Sequence, residues 1–157
     1  LDEVYRSPTA LAEFNEYMSR IHTFVLDTEN PAELYGYLML AYYRSTQNSN
    51  PYQRVLAQDL LKEEKIKNFM HNELGMYNIE QTMVAKALEF QSKLQKIEKP
   101  KNDYGHLNEA IPLGLMMARA DYLLSSERLQ DWEKHLHLFE EKVEKSIRYR
   151  RKRKPRY

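Results

Sequence analysis

Along most of this chain the apolar residues recur at steps of three and four, and that spacing admits few folds. The cleanest run is Ile79, Met83, Ala87, Phe90, Leu94 and Ile97. Earlier runs are Leu11, Phe14, Met18, Ile21 and Val25, then Leu34, Leu38 and Ala41, then Leu56, Leu60, Ile66, Phe69 and Met70. Each set falls on one stripe of a helix, whereas a half-buried strand would need strict alternation, which is found nowhere. The spacing predicts an all-α protein.

Helix starts are written in a repeated form. Ser7-Pro8, Asn30-Pro31 and Asn50-Pro51 each place a capping side chain before a proline, whose missing N–H has no intrahelical partner at the first position anyway. Asn30 with Glu33, Asn50 with Gln53 and Asn78 with Gln81 have capping-box spacing. Gly75 is placed to end the third helix, and residues 100–106 make the longest loop. A fifth segment, residues 111–124, is apolar nearly all round and contains Pro112 and Gly114, which predicts a short, irregular, central helix. Helix starts near residues 8, 31, 51, 78, 107 and 126 give about six helices. Short connections make neighbours antiparallel, as a bundle or as a solenoid-like array of helical hairpins.

The last helix carries Leu129, Trp132, Leu136, Phe139, Val143 and Ile147 in a seam that must pack on a neighbour. A helical domain is expected over residues 1–147 and a basic tail over residues 148–157. Charge divides in the same way. Of 24 Lys and Arg in the chain, eight lie between positions 145 and 156 with no acid among them, so residues 1–144 hold 16 basic against 23 acidic groups, net −7.

Composition excludes several classes. With no cysteine, disulfides, thiolate nucleophiles and cysteine metal sites are absent together, which fits a reducing, intracellular compartment. Residues 110–118 form the longest nearly uncharged apolar run, far short of the roughly 20 residues a membrane span needs. Four glycines, Gly36, Gly75, Gly105 and Gly114, cannot write a P-loop or a dinucleotide fingerprint. His135 and His137 stand two residues apart, on different helix faces, which is poor metal geometry. Glu133 and His137 are one turn apart on a face expected to be solvated. The adjacent carboxylates Glu63-Glu64 and Glu140-Glu141 diverge by about 100° on a helix and read as solvated charges. No catalytic residue, metal ligand, cofactor or small-molecule substrate is expected.

Two features remain. Tyr35, Tyr37, Tyr42 and Tyr43 crowd the second predicted helix, where such side chains suit either a protein interface or the packing between helices. In the tail, Arg148, Arg150, Arg151, Lys152, Arg153, Lys154 and Arg156 attract phosphate, while Tyr149 and Tyr157 can stack on unpaired bases. RNA is the expected partner rather than a specific DNA site, since no recognition helix stands out in the acidic body. The other use of such a tail is as a localisation signal.

Three short stretches, Leu34-Tyr35-Gly36-Tyr37, Ser92-Lys93-Leu94-Gln95 and Leu129-Gln130-Asp131-Trp132, resemble the pentatricopeptide-type helical proteins of the mitochondrial small ribosomal subunit. They cover less than a tenth of the chain. The resemblance implies a helical-hairpin solenoid, a mitochondrial matrix location and a structural role in a ribosome. With the charge split, the expectation is a helical ribonucleoprotein subunit touching rRNA by its tail and proteins by its acidic body. The alternative is a protein-protein adaptor or assembly factor whose tail is an address.

Overall fold

The stripe that reads most clearly in the sequence lies at the centre of the molecule. The structure is a computed structural model that describes residues 2–25, 31–47, 50, 51, 53–121 and 126–152, with the backbone alone for residues 23–25, 31–33, 95, 126 and 142–152. Among these residues are eight α-helices and no strand: α1 (Asp2–Arg6), α2 (Pro8–Val25), α3 (Pro31–Thr46), α4 (Ala57–Leu60), α5 (Glu64–Lys67), α6 (Asn78–Lys93), α7 (Ile111–Ala120) and α8 (Ser126–Lys152). The all-α expectation therefore holds. A π-helical segment, Asn68–Glu73, continues α5, and a 3₁₀ stretch, Gly105–Ala110, leads into α7.

Met83, Ala87 and Phe90 on α6, and Leu94 just after it, are buried, as their spacing requires. They serve two contiguous cores. One takes Met83 and Ala87 with Tyr37, Leu40, Ile66 and Phe69. The other joins Phe90 and Leu94 to Ile111, Leu115, Trp132 and Phe139. Helix α2 packs on α3, and α6 on α7, while α3 also touches α6 and α7, and α8 crosses α7 and the 3₁₀ stretch. The helix pairs close on one another around shared cores, which makes a bundle rather than an extended array.

Small residues set the closest approaches. A Cβ added at Gly114 would lie 2.8 Å from Phe90 Cδ1 and 3.1 Å from the Ala87 carbonyl oxygen, and one at Gly36 would lie 2.6 Å from Leu113 Cδ1. Glycine at these points lets α7 sit directly against α6 and α3. Pro112 falls in the first turn of α7, where proline is tolerated, and seven of the ten residues of that helix are buried. The expected central helix is present, ending at Ala120.

Some starts are as written. Ser7 Oγ accepts the Ala10 N–H at 3.2 Å, capping α2. Helix α3 begins at Pro31, while Asn30 and its box with Glu33 lie outside the described residues. The other two boxes are corrected. Tyr77, not Asn78, precedes α6, and Glu80 Oε1 accepts its N–H at 3.0 Å. Gln81 instead donates to the Met76 carbonyl at 2.9 Å.

At Asn50-Pro51 no helix starts. The Asn50 carbonyl accepts Gln53 N–H in a turn, Leu56 is extended, and the predicted third helix is divided into α4, α5 and the π-helical segment. Its donors are taken by α6: Val55 N–H bonds Ser92 Oγ at 3.1 Å and Ala57 N–H bonds Glu89 Oε1 at 2.9 Å. A continuous helix would have aimed both at its own carbonyls. The apolar pattern is still honoured, since Leu60, Ile66, Phe69 and Met70 are buried.

The π-helical segment ends in a 3.0 Å bond from Leu74 N–H to the Phe69 carbonyl, and Met76 N–H then reaches the Met70 carbonyl. Gly75, at φ 66°, makes that reversal, as its position predicted. Helix α1, which the sequence reading did not include, inserts Val4 into the first core. No helix among the described residues is long and apolar enough to cross a membrane.

Candidate functional site

Helix α8 is continuous from Ser126 to Lys152, so the basic run starts as its last turn and not after it. Arg148, Tyr149, Arg150, Arg151 and Lys152 occupy consecutive helical positions, whereas Arg153, Lys154, Arg156 and Tyr157 lie outside the described residues. Cations in the last turn of a helix face the partial negative charge of its unpaired carbonyls, which favours helix there. Trp132 and Phe139, both buried, fix the first half of α8 to the second core. The Trp132 ring meets Phe90 edge-on, with centroids 5.5 Å apart. Arg128 donates to the carbonyls of Leu94 and Ile97 at 2.7 and 2.9 Å, tying the start of α8 to the end of α6.

The tyrosines of α3 are placed differently from the interface expectation. Tyr37, Tyr42 and Tyr43 are buried in the chain's own core, and Tyr35 is half-buried against it. Tyr42 stacks on Phe69 with ring centroids 4.0 Å apart and planes within 5°. Its hydroxyl lies 3.4 Å from Glu3 Oε2. Burial, with the negative charge of Glu3, pushes the Tyr42 phenol up to about 12. The packing role, one of the two readings of this cluster, is the one the structure shows for these three side chains.

Sequence reading missed the main polar centre of the fold. At the end of α7, the Asp121 carboxylate is closed off from solvent and gathers donors from three other helices. Arg44 of α3 reaches it through Nε at 3.2 and 3.3 Å and through Nη2 at 3.2 Å. Tyr17 of α2 donates its hydroxyl at 2.5 Å, and Gln91 of α6 donates its amide. Arg20 donates to the Ala120 carbonyl at 3.3 Å and lies over the Tyr17 ring. Burial, then the bond to Asp121, holds the Tyr17 phenol above its ordinary range, so the hydroxyl remains a donor. This centre joins four helices through one buried carboxylate.

A second polar centre is Glu89, also buried. Burial alone would raise its carboxyl, but the Ala57 N–H, Lys93 and His106 outweigh that and hold it below the usual range. Lys93 Nζ and His106 Nε2 lie 3.3 and 3.2 Å from Oε2.

The other candidates do not converge. Glu133 and His137 are exposed and His135 is half-buried. Glu63, Glu64, Glu140 and Glu141 are all exposed. No three His, Asp or Glu side chains gather as metal ligands would among the described residues. Two open grooves of about 570 and 490 Å³ flank the π-helical segment; Glu64 and Asn68 line both.

Comparison with protein-family models, with curated proteins and with solved structures finds no match to this chain. The three tetrapeptides singled out in the sequence stand at different places in the fold. Gly36 stands where α3 meets α7, Ser92 holds the segment before α4, and Trp132 is in the second core.

Proposed function

We propose that this chain is a non-enzymatic helical subunit of a ribonucleoprotein assembly, an organellar ribosome being the best fit, and that it contacts RNA through its basic C-terminal run and proteins through its acidic body. The observation that carries the proposal is the placement of opposite charges. Residues 1–144 carry net −7, residues 145–156 carry eight positive charges and no negative one, and α8 runs from the one into the other without a break as far as Lys152. Cations gathered at one end bind phosphate and release counterions, whereas a body of opposite sign repels nucleic acid and attracts basic proteins. A mitochondrial matrix location belongs to the same proposal and rests on the three tetrapeptides.

The test is to delete residues 145–157 and measure RNA affinity across a salt series. The full chain is expected to lose affinity steeply with salt, and the truncated chain to lose both the affinity and most of the slope. Undiminished binding with the same slope would sink the proposal. Copurification with proteins that survives ribonuclease treatment would favour the adaptor role instead.

A further inference from the structure

The helical seam of α8 has an informative end. Its apolar positions run Leu129, Trp132, Leu136, Phe139, Val143 and Ile147, and the next position on the same stripe, three residues on, is Arg150. The stripe that seats the helix on the body therefore changes from apolar to cationic within one turn. At about 100° per residue, positions 145, 148, 150, 151 and 152 leave no half of the helix circumference without a Lys or Arg.

A helix that rests on a flat anionic surface keeps its cations on one face and its apolar residues on the other. Cations spread all round can be satisfied together only where phosphates stand on more than one side. Such a place is a groove with two phosphate walls. An α-helix with side chains is about 10–12 Å across, so it needs a groove about as wide as the B-DNA major groove, about 12 Å. The major groove of an unbroken A-form stem is too deep and narrow to admit it. Unpaired nucleotides let the two strands separate locally and open that groove.

Resting on the RNA partner proposed above, we infer that the basic end of α8 binds as a preformed helix in the major groove of an RNA stem opened by a bulge or internal loop. Helix already present in the free protein lowers the ordering cost that a flexible arm pays on binding. A flexible arm with two tyrosines, by contrast, favours single strands, on whose bases it can stack.

The experiment uses the full chain and four probes of equal length: a bulged RNA stem, a fully paired RNA stem, an unstructured pyrimidine RNA and a B-form DNA duplex. The bulged stem is expected to bind at least about tenfold more tightly than each of the others at one salt concentration, in line with the separation of specific from backbone-only contacts. Ser146→Pro, which breaks the helix before the basic run without altering its charge, is expected to abolish that preference while single-strand affinity stays within about twofold. Equal or tighter binding of the single strand or the DNA duplex would overturn the inference, as would a preference that survives S146P. Binding to no RNA at all would remove the proposed function along with it. Should S146P not fold, R148Q, R150Q, R151Q and K152Q decide the matter: each is expected to flatten the salt slope by about one, and losses confined to neighbouring positions on one face would overturn the groove.

Discussion

Arg44 and Asp121, 77 residues apart, form an ion pair shut away from water, with Nη2 3.2 Å from Oδ2 and the two side chains 2 % and 0 % exposed. Asp121→Ala would leave the guanidinium buried among Tyr17, Gln91 and apolar neighbours with no counter-charge. The expected loss is about 3–5 kcal/mol of folding stability, read from the midpoint of urea unfolding. Tyr17→Phe removes one donor and leaves the pair intact, so it is expected to cost less than about 3 kcal/mol. A D121A protein as stable as the parent would show that the hub does not hold the four helices.

Trp132, the single tryptophan, reports on the seating of α8. Its emission is expected to be blue-shifted in the folded chain and to move red on unfolding, in step with the loss of helical circular dichroism. Trp132→Ala opens a cavity beside Phe90 and Phe139 and is expected to cost about 3–5 kcal/mol. Emission already at the solvent-exposed wavelength in buffer would contradict the burial.

Gly114→Ala tests the closest approach of α6 and α7. The new methyl meets Phe90 Cδ1 and, less able to yield, the Ala87 carbonyl oxygen at 3.1 Å. Overpacking of this kind costs about 1–3 kcal/mol. Gly36→Ala meets only the flexible end of Leu113 and is expected to cost less, despite the shorter distance of 2.6 Å. Thermal melts of the two variants, in that order of severity, check the assignment.

Alkaline pH should weaken the fold. The phenols of Tyr17 and Tyr42 are both raised in the folded state above the value of about 10 for an unfolded chain. Protons are then bound more tightly by the native state, so the stability from these groups is whole below about pH 10 and is lost as pH rises through the folded values. The Glu89 carboxyl, lowered in the folded state, works in the opposite sense: its contribution is present above the ordinary glutamate value and falls away as the solution is acidified through the folded one. Unfolding midpoints across pH, compared between the parent and the Tyr42→Phe and Glu89→Gln variants, separate the two limbs. A parent curve flat above pH 10 would refute the first.

What the sequence disclosed follows from the range of the interactions involved. The stripe on α6, the Ser7 cap and the reversal at Gly75 are decided by residues a few positions apart, and all could be read. The start at Asn50-Pro51 was misread because the partners of Val55 and Ala57 are Ser92 and Glu89, 37 and 32 residues away. Local capping signals lose to long-range acceptors that are already placed. The Arg44–Asp121 hub could not be read at all, since a lone arginine after an apolar run and a lone aspartate at a helix end look like solvated charges. Tyr42 was legible as large apolar surface, but its burial against the chain itself depends on where α1 and the π-helical segment pack.

The anchoring of α8 fixes a length. From Phe139, seated in the second core, to Lys152 the helix advances thirteen residues, about 20 Å. A coiled tether of the same number of residues samples every distance from contact to full extension, and holds none of them. A helix acts as a ruler: whatever grips its far end is kept at one height above the tryptophan, and inserting or deleting a full turn would move that height by about 5.4 Å without rotating the grip far from its bearing.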